Sequence, residues 1–173
     1  MTGVKVFDGV ASVASGDVLL TLWRTPARCE RIRVVTAWTE ELLGATDGTI
    51  AAAQFLLPSA SPPDGPARAE AMVGLRIVAP RARRLITVPL GDALWHDVVR
   101  TIIRGAVKVW GRSKLIKVAS SSAQALDLIA EVATPRSPAR GDLEVALTSL
   151  YRALDVTPPR GLSLPPEPVT DAS

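Results

Sequence analysis

The chain has 173 residues, 47% of them apolar and 21% charged, and a net charge of +3. Those proportions suit one globular domain with a real core and exclude a disordered chain. Binding nucleic acid by counterion release calls for denser Lys/Arg clusters with aromatic stacking groups, whereas these charges are interspersed in sign.

No stretch approaches the roughly 20 uninterrupted apolar residues that cross a bilayer. The segment from Met1 to Val10 lacks the apolar run of a secretory signal. Cys29 is the only cysteine, so an intrachain disulfide and a thiolate metal cluster are excluded. The expected compartment is a reducing one, the cytoplasm. The richness in Ala, Arg, Val and Pro, with no Asn at all, suggests a bacterium with GC-rich DNA.

Val4 to Ala14 and Asp17 to Trp23 predict two strands around a turn at Ser15-Gly16. The second is apolar at both parities, as expected inside a covered sheet. Thr25-Pro26 predicts a helix start, with Thr as N-cap and Pro in the first turn. Cys29, Ile32, Val35, Trp38 and Leu42 then mark a buried helical face. Asp47-Gly48 stops that helix, and Ile50 to Leu57 is the third strand.

Ser59 to Pro66 is loop chemistry. The helix after it carries Ala67, Ala71, Leu75 and Val78 on one side, and Pro80 with the following arginines ends it. Leu85 to Leu90 is the fourth strand. Asp92 caps a helix with Trp95, Val99, Ile102, Ala106 and Val109 inward and Gly111 as its C-terminal stop. Leu115 to Ala119 is the fifth strand. Ser120, Ser121 and Ser122 offer N-caps for a short helix with Leu126, Ile129 and Ala130 inward.

The predicted architecture is α/β: a mostly parallel five-stranded sheet with an N-terminal hairpin and covering helices. It occupies residues 1–133. Residues 134–141 read as a linker, and 142–156 as an accessory C-terminal helix capped by Asp142, with Leu143, Leu147, Leu150 and Leu154 on one stripe. That stripe is too short for a coiled coil and is expected to pack within the chain. Residues 157–173 form a Pro-rich, extended tail.

Three stretches carry a family resemblance: Val18 to Arg24 leading to Thr25-Pro26 and a helix, the loop from Pro58 to Pro66 entering the next helix, and Leu115 to Ala119 followed by Ser-rich capping and Ala125-Leu126. Over residues 1 to 133 the chain resembles small bacterial STAS-like domains, relatives of anti-sigma-factor antagonists. The resemblance implies protein–protein switching without a cofactor. Family members present a phosphorylatable Ser or Thr at the start of the helix after the third strand, often within Asp-Ser-Ser-Gly. Here that place holds Ser59-Ala60-Ser61-Pro62-Pro63-Asp64-Gly65. The motif is absent, and only the binding role carries over.

Chemistry-bearing motifs are scarce. The sequence holds no phosphate-binding Gly-rich loop, no Gly-x-Ser-x-Gly and no metal-ligand spacing. His96, the only histidine, reads as a helix-surface residue, and Cys29 as a small apolar one. The Ser120–Ser122 run fits plain N-capping better than anion binding. Arg100, Arg104 and Lys108 repeat every four residues along one helix face, with Arg112, Lys114 and Lys117 beyond. They form either an ordinary solvated face or a docking surface for an anionic partner.

The expectation is therefore a non-enzymatic regulatory adaptor of a bacterial signalling system, with no catalytic, cofactor or metal residues. Its partner is another protein or a second copy of itself, met through Ser59, Ser61, Asp64 and the neighbouring helix faces. The alternative is an anionic surface, membrane before nucleic acid, met by Arg100, Arg104 and Lys108.

Overall fold

The structure is a computed structural model describing residues 3–46, 48–91, 93–110 and 114–159, with only the backbone for residue 93 and residues 106–110. Its elements are β1 (Lys5–Phe7), β2 (Val10–Ser15), β3 (Val18–Trp23), α1 (Cys29–Ala45), β4 (Ile50–Leu56), α2 (Gly65–Val78), β5 (Ala82–Pro89), α3 (Ala93–Trp110), β6 (Ile116–Val118), α4 (Ser122–Ala130) and α5 (Arg140–Ala153). The strands form one mixed sheet in sequence order, β1 to β6. β1, β2 and β3 are antiparallel neighbours, and β3, β4, β5 and β6 are parallel ones.

The sheet thus has six strands, not five. The predicted strand from Val4 to Ala14 folds back on itself at Asp8-Gly9, where Phe7 pairs with Val10. Asp8 and Gly9 take φ of 43° and 80°, the two positive values of a type I′ hairpin turn. The next hairpin turns through Gly16 at φ +55°, and a Cβ there would stand 2.2 Å from the Arg136 carbonyl oxygen. Backbone cannot yield like a side chain, so this position admits only glycine.

Two expected helix starts also move. Thr25 does not cap α1: its hydroxyl donates to the Asp8 carbonyl at 2.9 Å, closing the first hairpin. Helix α1 begins at Cys29 behind an Arg28 that supplies no side-chain cap. Likewise Asp142 lies inside the first turn of α5, whose N-cap is Ala139. Its carboxylate there favours the positive end of the helix dipole. The predicted caps Asp92 and Gly111, and the tail from residue 160 onward, lie outside the described residues.

Each parallel crossover advances one strand, and crossovers of one hand place their helices on one side of a sheet. Helices α1, α2 and α3 accordingly share a face, and α4 and α5 cover the other. The α4/α5 side is closed. Leu20, Leu22, Phe55 and Val88 meet Leu126, Leu147, Leu150 and Tyr151, none more than 2% exposed. Burial pushes the Tyr151 phenol up to about 12, with the Ser122 hydroxyl pulling the other way.

Residues 134–137 are fastened to the sheet. The Asp17 carboxylate, 3% exposed, receives the Arg83 guanidinium at 2.7 Å. It also accepts from the Thr134 hydroxyl at 2.6 Å and the Ser137 hydroxyl at 2.8 Å. Burial alone would raise the Asp17 pKa, but these donors outweigh it and leave the carboxyl below its ordinary value. Arg83 and Arg84, expected to lie beyond a helix end, sit inside β5.

Candidate functional site

The face carrying α1, α2 and α3 is unevenly covered, and a small residue lets α2 sit close against α1. Gly74, buried in α2, lies so near α1 that a Cβ would stand 2.5 Å from the Thr36 Oγ1. This close approach draws α2 along α1, where Arg33 also pairs with Glu70 at 2.9 Å. Between α2 and α3 a cleft of about 560 Å³ remains, floored by β3, β4 and β5 and reaching Ile32, Val35 and Thr39 of α1.

Its floor has three levels, set by strand register. Lowest, at the N-terminal ends of the strands, Leu19, Ala52 and Leu85 lie side by side. Two residues on, Thr21, Gln54 and Thr87 form a polar row. Thr21 is buried and shares a hydrogen bond of 2.8 Å with Ser12 on β2. Gln54 is exposed, although it stands in the middle of a central strand. The third level, Trp23 and Leu56, lies at the C-terminal ends.

The walls repeat that gradient. Leu75, Val78, Ile103 and Ile116 line the cleft with the lowest level, near the end of α2. Ser61, Pro62, Pro63, Trp95 and Arg68 line its other end, where α2 begins. Arg68 is the one charged side chain among the described lining residues. It is exposed, makes no ion pair among the described residues, and sits in the first turn of α2, where the helix dipole disfavours a cation.

The residues expected to form the working surface fare differently. Ser59 donates to the Arg24 carbonyl at 2.6 Å, a loop-closing bond. Asp64 is the N-cap of α2, accepting from the Ala67 amide at 2.8 Å. Ser61 is exposed at the cleft. Arg100 and Arg104 are exposed on α3 but do not line the cleft. The side chain of Lys108 lies outside the described residues.

Gln54, Arg68 and Thr87 were not expected from the sequence. Gln54 offers a usable signal: it is the lone polar residue of the run from Ile50 to Leu57. The other two offer none, because their role depends on where α2 settles.

A second hollow, of about 570 Å³, lies where β4 and β5 end, lined by His96, Ser120, Ser121, Ser122, Arg140, Glu144 and Tyr151. Its polar groups largely serve one another. Arg140 pairs with Glu144 at 3.1 Å and also with Asp127. Ser121 caps α4, accepting from the Gln124 amide, and the Gln124 side chain reaches back to the Ser120 amide at 2.6 Å. The Ser121 cap occupies the Gln124 amide, a helix-end donor that an anion would use, and the Gln124 side chain holds the residue before the cap.

Cys29 is half-buried at the start of α1. Among the described residues no three of His, Cys, Asp and Glu gather as a metal site would need. No described helix is long and apolar enough to cross a membrane. Set against family models, curated proteins and solved structures, the chain matches none of them.

Proposed function

We propose that this chain is a STAS-like regulatory adaptor of bacterial signalling, a domain that binds rather than transforms. Its working surface is the face formed by the β4–α2 loop, α2 and the cleft beside it. The observation that carries this reading is the exposed Gln54. Central-strand residues of an α/β sheet are normally covered on both faces, and leaving one open forgoes burial worth about 25 cal/mol per Å². Such an opening marks a surface kept for a partner or ligand.

Val73 and Ile77 support a protein partner. They are 51% and 41% exposed, one turn apart on α2. The test is co-purification from native extract followed by mass spectrometry. A stoichiometric partner should come with the wild-type chain and be lost with Val73→Asp/Ile77→Asp. No such partner, or unchanged recovery, would sink the adaptor role.

A second reading rests on Arg100 and Arg104, both exposed and neither ion-paired among the described residues. They suit a peripheral anionic surface. That reading expects retention on anionic liposomes that falls with salt and disappears on reversing both charges.

A further inference from the structure

We propose that the cleft between α2 and α3 is a binding site for a single-chain anionic amphiphile: one hydrocarbon chain ending in a carboxylate or a phosphate. This rests on reading that face as a binding surface and adds the chemistry of its occupant. The volume of about 560 Å³ falls inside the ~300–1,000 Å³ of ordinary ligand pockets. Its floor spans five residues of β3, about 13 Å at strand rise. That is an elongated shape, suited to a chain rather than a disc.

The direction of the chain follows from the gradient of chemistry. The deep end, among Leu75, Val78, Leu85 and Ile103, offers hydrocarbon only and takes the tail. Halfway along, the exposed Gln54 amide makes no hydrogen bond among the described residues and offers two N–H donors toward a head group. At the far end Arg68 makes no ion pair among the described residues and sits at a helix position that disfavours cations, with only the N-cap Asp64 one turn before it. An anionic head between Gln54 and Arg68 supplies both missing partners. A neutral chain leaves the arginine as it is, and a cationic one is repelled.

The experiment uses the full chain and intrinsic tryptophan fluorescence, because Trp23 and Trp95 both line the cleft. Palmitate, methyl palmitate, decanoate and lysophosphatidic acid are titrated below their micelle concentrations. The class expects saturable binding, tightest for the long anionic chains. Palmitate should exceed its methyl ester by about fivefold, the upper worth of an exposed ion pair. Arg68→Gln should erase that difference while leaving the ester unchanged. Ala71→Trp, at an exposed position lining the cleft, should abolish binding of all four with the melting temperature retained.

Tighter palmitate assigns the source as a free fatty acid, and tighter lysophosphatidic acid assigns a lysolipid; both uphold the class. Absence of saturable binding overturns the proposal. So does equal affinity for acid and ester, or binding that survives Ala71→Trp. Partner recovery by Val73→Asp/Ile77→Asp reads the adaptor role separately, so either can fall while the other stands.

Discussion

The two faces of this sheet are built from the same strands and end in opposite conditions. Over α4 and α5, side chains from four strands and two helices close completely, and Phe55, Leu147 and Leu150 are wholly buried. Over α1, α2 and α3, the apolar packing divides into two smaller clusters with a cleft beside them. Apolar packing is therefore concentrated on one side, and the other is left partly open. The sheet lets the two be separated because alternate residues of one strand face opposite ways.

The largest test of that division compares one leucine from each side. Leu147→Ala on the closed side should cost about 3 kcal/mol, a deleted side chain plus a cavity that cannot collapse. Leu85→Ala on the cleft floor, half-buried already, should cost about 1 kcal/mol. Urea unfolding reads both. Equal costs would mean that the cleft is filled as tightly as the core.

Next comes Asp17→Asn, expected to cost about 3 kcal/mol, at the low end for a broken buried ion pair. The low end applies because Arg83 keeps carbonyl partners at Val132 and Thr49, each at 3.0 Å. The native Asp17 pKa is lowered, so its stabilisation is complete above the unfolded carboxylate pKa and is lost as pH falls through the native one. Wild-type stability should drop with acidification in that window, and the Asn variant should show a shallower slope. Identical slopes would show that Asp17 does not anchor residues 134–137.

The closed side was more legible in the sequence than the open one. The stripe Leu143, Leu147, Leu150 and Leu154 reads directly as a buried helix face, and strand–helix alternation gives the α/β class. The extra strand was also written there, since Asp8-Gly9 between two β-prone runs is a strong hairpin signal. Thr25-Pro26 misled because a hydroxyl suited to capping found the Asp8 carbonyl instead. The cleft was not legible, because it depends on how near α2 comes to α1 rather than on which residues are apolar.

That dependence gives the third prediction. In an unconstrained helix Gly→Ala gains up to about 1 kcal/mol. Gly74→Ala should instead lose about 1 kcal/mol, since its Cβ meets the Thr36 hydroxyl and forces α2 outward. Thr36→Ala removes the obstacle, so the double variant should recover the ordinary gain. A single variant already more stable than wild type would break the account of why the cleft exists.

The last test is the most exacting, because it sets neighbours on one strand against each other and expects almost no effect at one of them. Ala53 is fully buried on the closed side, and Gln54 is exposed on the open one. Valine suits both backbones, so intrinsic strand preference cancels. Ala53→Val adds two methyl groups to a packed core and should cost about 1–3 kcal/mol. Gln54→Val should stay within about 0.5 kcal/mol of wild type, as substitutions on open surface do. A one-residue change of register would exchange the two results, since it turns every side chain to the opposite face. The pair therefore tests register and openness together, with thermal melting as the only measurement.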